Sequence, residues 1–274
     1  MKLIKEEQFI TCVFDNDELN ATELHWTPEE IAKAEPMIEV GPFEAKLKCT
    51  DDVQPSQNAD VSVFPFCCGG KLLFTKNGKS YYGTAQFVGD QCIILTAAHC
   101  VRSSDDGEWA CNFAFYQGYK EGKAAQVITI KSVSIRTEWT PPVKYAYDYA
   151  FLIAESDSKS GYLECETMLQ TDKVTAFGYP ATIEGGNIMQ KVTSEVVNNT
   201  GIDGVVAMLN TPFTGGSSGG AWLKQSANDY KVVGLNSFLI SGCNNVMFGP
   251  FMDDKFNMLL NYVKNEKEGK FYGN

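Results

Sequence analysis

From Val61 onward, short strand-forming segments alternate with turn-forming pairs, and this spacing restricts the fold more tightly than any other feature of the chain. Lys71-Leu72-Leu73-Phe74 and Ser80-Tyr81-Tyr82-Gly83 flank Asn77-Gly78. That pair is a strong hairpin signal, because both central residues of the tight turn need positive φ. Phe87-Val88 and Ile93-Ile94-Leu95 flank Gly89-Asp90. Residues 126–135 alternate Val127, Thr129 and Lys131 against Ile128, Ile130 and Ser132, and similar short segments recur to Phe248. Many short strands at turn-punctuated spacing specify an all-β sandwich or barrel. At 274 residues and 44% hydrophobic, the chain suffices for one large all-β unit or two small ones.

Three segments carry chemistry. The first is Thr211-Pro212-Phe213-Thr214-Gly215-Gly216-Ser217-Ser218-Gly219-Gly220-Ala221-Trp222. Glycines on both sides of a serine let the backbone turn sharply and expose the hydroxyl. They also free successive N–H groups to point at one spot, which an acyl-transfer nucleophile requires. Both Gly215-x-Ser217-x-Gly219 and Gly216-x-Ser218-x-Gly220 fit a nucleophile elbow, a motif whose histidine follows the serine. The only histidines, His25 and His99, precede it.

The second segment is Cys92-Ile93-Ile94-Leu95-Thr96-Ala97-Ala98-His99-Cys100-Val101, an apolar strand running into two small residues and a histidine. The third, Tyr145-Ala146-Tyr147-Asp148-Tyr149-Ala150-Phe151-Leu152-Ile153-Ala154, embeds an aspartate among aromatics. A buried carboxylate needs a partner, and an imidazole N–H is the obvious one. His99, Asp148 and Ser218 then follow the chain order His, Asp, Ser, with separations of 49 and 70 residues.

Leu95 to Cys100, Asp148 to Leu152 and Gly216 to Gly220 resemble the three signature segments of trypsin-like serine peptidases. Trp26-Thr27-Pro28-Glu29-Glu30, Asn112 to Phe115, Phe177 to Pro180, Gly234 to Phe238 and Met247 to Pro250 resemble the bacterial and fungal branch related to glutamyl endopeptidases. The resemblance implies two six-stranded antiparallel barrels of chymotrypsin-like type, with a C-terminal helix and an N-terminal extension. The divisions expected are residues 1–58 (extension or pro-segment), 59–157 (first barrel, with His99 and Asp148) and 158–274 (second barrel, with Ser218).

It further implies a serine endopeptidase acting through a Ser218–His99–Asp148 triad, with the backbone N–H groups of Gly216 and Ser218 as the oxyanion hole. Pro212, Phe213, Thr214, Asn236, Ser237 and Phe238 fall at the substrate pocket. No acidic residue stands at the pocket base and no histidine follows His99. A neutral or apolar side chain is therefore expected there, rather than lysine, arginine or glutamate. Ser217 cannot form the ion pair with a new amino terminus that activates mammalian members. The alternative readings are a catalytically silent peptide-binding module on the same fold and an esterase of another fold.

Thr27 caps a short helix through Ala34, with Pro28 in its first turn, Glu30 completing a capping box and Pro36 ending it. A segment like this lies in the propeptide of the resembling family, so the extension is either an inhibitory or folding pro-segment or a structural wrap. Lys48 to Asp60 reads as a polar linker. At the other end, Phe256, Leu259, Leu260 and Val263 give residues 253–265 one apolar helical face, expected to pack on the second barrel.

A net charge of −11 argues against a nucleic-acid partner, which needs a basic patch. No stretch approaches a membrane span, and residues 1–8 do not read as a secretory signal. The expected partner is a peptide or protein substrate, the expected state a monomer, and the expected compartment cytoplasmic or reached without a signal peptide, unless the chain is a trimmed secreted form. Of nine cysteines, none forms a CxxC pair with metal spacing, so zinc is not expected, and the triad mechanism that the resemblance implies needs neither a metal nor an organic cofactor. In the family the cysteine after the histidine pairs with one on the preceding strand, but Tyr81 to Phe87 holds none. Cys100 then needs another partner, such as Cys67, Cys68 or Cys92, or stays a thiol, and mostly reduced cysteines are expected.

Overall fold

The computed structural model describes residues 1–14, 26–44, 46–49, 51–167, 173–226 and 229–267; His25 lies outside them. The Asn77-Gly78 hairpin forms as the sequence predicts. It joins β6 (Gly69–Lys76) to β7 (Lys79–Phe87), with φ of 51° and 72° at the two turn residues. These strands, with β8 (Ile93–Thr96), β9 (Cys111–Gln117), β10 (Gln126–Arg136) and β11 (Ala150–Ala154), close into a six-stranded antiparallel barrel. Its order is β6-β7-β8-β11-β10-β9 and back to β6. Leu72, Phe74, Phe87, Phe115 and Leu152 fill its interior without solvent exposure. Each contributes on the order of 1.5–3 kcal/mol by burial.

The second half is a six-stranded antiparallel sheet in the order β17-β16-β13-β14-β15-β19. Its strands are β13 (Lys173–Gly178), β14 (Gln190–Val197), β15 (Val205–Met208), β16 (Ala221–Ser226), β17 (Asp229–Leu235) and β19 (Met247–Pro250). Its two ends approach so closely that a Cβ on Gly249 would meet the Leu235 carbonyl oxygen at 2.2 Å. Just past β17 the Phe238 backbone bridges to Phe248 of β19, its N–H donating at 3.1 Å and its carbonyl accepting at 3.0 Å. Val174, Val192, Met208, Phe213, Trp222 and Met247 form its core. Short β12 (Glu164–Cys165) runs parallel to β17 at its edge.

The amino-terminal residues extend over both halves. β1 (Lys2–Lys5) and β2 (Phe9–Val13) form a hairpin, and β2 pairs with β10. Helix α1 (Pro28–Lys33) has the expected capping box: Glu30 N–H donates to Thr27 Oγ1 at 3.2 Å and Thr27 N–H to Glu30 Oε2 at 2.8 Å. β3 (Glu35–Pro36) then runs parallel to β7. β4 (Val40–Gly41) runs parallel to β18 (Leu239–Ile240), and β5 (Gln57–Asn58) pairs with β14. The stretch read as a polar linker is thus tied down. Cys49 is disulfide-bonded to Cys243 and Gln54 N–H donates to the Asn210 carbonyl at 2.7 Å.

Helix α2 (Asp254–Lys267) buries the expected face, Phe256, Leu259, Leu260 and Val263. It packs on the first barrel, not the second. The Phe256 ring lies 5.1 Å from Tyr149 and 5.2 Å from Phe151 at the start of β11. The aromatic residues that follow Asp148 provide an apolar seat for Phe256, and the helix crosses back to cover it.

Candidate active site

His99 lies in a single 3₁₀ turn directly after β8, which ends at Thr96. Ala97 and Ala98, both fully buried, leave room for the imidazole to pack inward. Asp148 follows another 3₁₀ turn, Tyr145–Tyr147, immediately before β11, the strand paired with β8. That pairing brings the two residues together. His99 Nδ1 is 2.7 Å from Asp148 Oδ2, and the His99 N–H donates to Asp148 Oδ1 at 2.8 Å. The Ser237 hydroxyl also donates to Asp148 Oδ2. All of these groups are buried. Burial is the largest influence and pulls the His99 pKa down, but the Asp148 carboxylate and the Cys100 sulfur beside it together outweigh it, and the imidazole is held well above its ordinary value.

The serine loop, residues 215–220, is the part of the β15–β16 connection that leads into β16. Gly216 and Gly219 have φ of 88° and 89°. A Cβ at Gly216 would meet the Tyr179 carbonyl oxygen at 2.5 Å, and one at Gly219 would meet Thr96 Oγ1 at 2.2 Å. Only glycine fits either position. The loop is clamped to the first barrel by β7. Thr84 N–H donates to the Ser218 carbonyl at 2.8 Å, and Thr84 Oγ1 donates to the Gly216 carbonyl at 2.9 Å. Gln86 donates to the Gly219 carbonyl at 3.0 Å and accepts from the Ala221 N–H at 3.0 Å. A Cβ on Gly83 would touch Cys100 Sγ at 3.0 Å and the Ser218 carbonyl at 3.1 Å. The serine loop and the histidine turn therefore share one wall.

The residues placed at the pocket from sequence divide by role. Phe213 belongs to the core of the second sheet. Asn236 holds the loop from inside: it accepts from Trp222 Nε1 at 2.8 Å and donates to the carbonyls of Phe177 and Ser217 at 3.0 and 3.1 Å. The Thr214 carbonyl accepts from the Ser217 hydroxyl at 2.6 Å, and Pro212 is half-buried. Ser237 supports Asp148, and Phe238 packs against Tyr145 at 4.6 Å between ring centres.

Sequence reasoning missed the clamp residues Thr84 and Gln86, buried polar positions in a strand that otherwise reads as apolar. It also missed Met37, whose carbonyl accepts from the Gly216 N–H at 2.7 Å and from the Ser218 hydroxyl at 3.2 Å. His99 Nε2 has no hydrogen-bond partner among the described residues. The cysteine expectation also changes. Cys49 and Cys243 form a disulfide that spacing did not suggest, while Cys100 is a buried thiol.

A closed β-barrel and a second β-sheet, with a histidine–aspartate pair on one and a glycine-flanked serine loop on the other, define the chymotrypsin-like fold. The trypsin-like peptidase domain model matches residues 83–235; the chain belongs to that family and is a serine-type endopeptidase. Solved structures share the fold. The thermostable serine protease AL20 from an extremophilic microorganism is 24% identical over 72% of this chain and 96% of its own, with a TM-score of 0.65. The protease Anisep from Arthrobacter nicotinovorans is 23% identical over 76% and 98%, with a TM-score of 0.67. A Glu endopeptidase solved with MPD is 20% identical over 80% and 100%, with a TM-score of 0.65. No curated protein sequence matches the chain.

Proposed function

We propose that the chain hydrolyses peptide bonds by acyl transfer, with Ser218 as nucleophile, His99 as general base and then acid, and Asp148 as the group that orients His99. The supporting observation is the buried double hydrogen bond between His99 and Asp148 behind the clamped serine loop. The Nδ1–H held on Asp148 leaves Nε2 as the free lone pair. An imidazole in that tautomer takes the Ser218 proton as the oxygen bonds to the substrate carbonyl carbon.

The negative charge that develops on the carbonyl oxygen is met by the N–H groups of Gly216 and Ser218. One such donor contributes about 10²–10³ in turnover. His99 then returns the proton to the leaving amine, and water repeats the sequence to release the acid. Of the six residues placed at the pocket, none carries a charge, which favours a neutral side chain on the acyl side of the scissile bond.

The test is intact-mass spectrometry after incubation with a fluorophosphonate. One adduct on the wild type and none on Ser218→Ala, both folded, is the expected result. An adduct that persists on Ser218→Ala removes Ser218 from the role.

A further inference from the structure

We infer that residues 35–41 form a built-in inhibitory strap lying in the active-site cleft, with the Met37 carbonyl seated where a substrate's carbonyl would sit. This rests on the triad reading above. The segment enters along the first barrel, where Glu35 and Pro36 pair with Tyr81 and Tyr82 and the Met37 N–H donates to the Tyr82 carbonyl at 2.8 Å. It leaves along the second, where Val40 and Gly41 pair with Leu239 and Ile240 and the Glu39 carbonyl accepts from the Leu239 N–H at 3.0 Å. Between these anchors the Met37 carbonyl accepts from the Gly216 N–H, one of the two proposed oxyanion donors.

The side chains fasten the same path. Glu39 Oε1 accepts from the Tyr145 hydroxyl at 2.7 Å and from the Ser104 hydroxyl at 2.8 Å, both on the first barrel. Phe43, just beyond the strap, packs on Tyr145 at 5.2 Å and on Phe238 at 6.0 Å. Met37 is 6% exposed, Ser218 4% and His99 0%. The reacting groups are therefore shut off from solvent and from any second peptide.

The strap occupies the cleft without being positioned for cleavage. Ser218 donates its hydroxyl proton to the Met37 carbonyl oxygen, and His99 Nε2, the atom that must take that proton, has no partner among the described residues. A nucleophile that gives its proton to the oxygen of the carbonyl it faces is not activated toward the carbon. The strap blocks the oxyanion hole and diverts the serine proton from the base, so both requirements of catalysis are lost to one backbone carbonyl.

The experiment compares the full chain with the double variant Glu39→Ala and Phe43→Ala. Amide hydrogen exchange reports whether residues 35–41 are seated. The rate of fluorophosphonate adduct formation reports whether the serine is available. We expect slow exchange over 35–41 and slow labelling in the wild type. In the variant both accelerate, labelling by at least about tenfold, the equivalent of one strong hydrogen bond, and a synthetic peptide of residues 34–44 slows it again.

Fast exchange over 35–41 in the wild type overturns the strap. So does rapid labelling that is equal in both forms, an outcome that leaves the triad standing. Scission of the wild type between Met37 and Ile38 also overturns it, by making the segment a substrate. If the strap is released in the variant and neither form labels, the triad reading fails, and inhibition fails with it for want of an activity to inhibit.

Discussion

Asp148 carries the heaviest electrostatic load at the residue scale. Three donors converge on it: the His99 ring, the His99 N–H and the Ser237 hydroxyl. Burial presses the imidazole pKa down, and the charge of Asp148, together with the neighbouring Cys100 sulfur, holds it up. A base must be neutral to act, so kcat/KM rises with pH through the His99 pKa. A raised pKa places that limb above the ordinary histidine range near 6.5. Measured on a strap-released form, Asp148→Asn is expected to lower kcat by about 10⁴, through loss of the correct tautomer, and to move the limb toward lower pH. Ser237→Ala removes one hydrogen bond to a charged group, worth about 1.5–3 kcal/mol. It should lower kcat by roughly ten- to a hundredfold with KM little changed. A pH limb that stays fixed in Asp148→Asn would remove Asp148 from the site.

At the scale of elements, strand β7 does more than its place in a barrel requires. Thr84 and Gln86 face the second half of the molecule and satisfy backbone groups of the serine loop. Gln86→Leu keeps the volume but strips partners from the buried Gly219 carbonyl and Ala221 N–H. An orphaned buried group costs about 1–3 kcal/mol, so thermal unfolding is expected at lower temperature, and activity should fall further than stability as the loop loosens. A melting temperature equal to wild type would show that the clamp is dispensable.

The same elements show what the sequence makes legible. The Asn77-Gly78 hairpin and the Thr27–Glu30 capping box are local, so the pattern of residues states them outright. The three chemical segments were legible because each couples an unusual residue to a strand end. The docking side of helix α2 was not, because its apolar face fits whichever aromatic surface the topology brings near. Met37 left no signal, since its contribution is a backbone carbonyl that every residue possesses. Thr84 and Gln86 left little, because alternation along a strand does not say which polar side is covered.

For the whole molecule, the amino-terminal residues bind the two halves together. Strand β2 zips onto β10 of the first barrel, and the Cys49–Cys243 disulfide, spanning 194 residues of sequence, fixes the far side of the strap to the second half. That separation is why the pair is invisible in the sequence. A cross-link closing so long a loop removes much of the freedom of the unfolded chain. Reduction with dithiothreitol, or Cys243→Ser, should destabilise the fold by about 2–4 kcal/mol, seen as a lower melting temperature, with no further effect of reductant on Cys243→Ser. Equal melting temperatures throughout would mean that the bridge holds the extension alone and not the fold.

Mooring at both ends also changes how the cleft meets competitors. A free peptide with the contacts of residues 35–41 would be displaced by abundant substrate. A moored one returns to its seat intramolecularly, at an effective concentration in the millimolar range for a short tether. Ordinary substrate levels compete poorly against that figure. Access to Ser218 is then governed by whatever severs or unzips a mooring, and not by how much substrate is present.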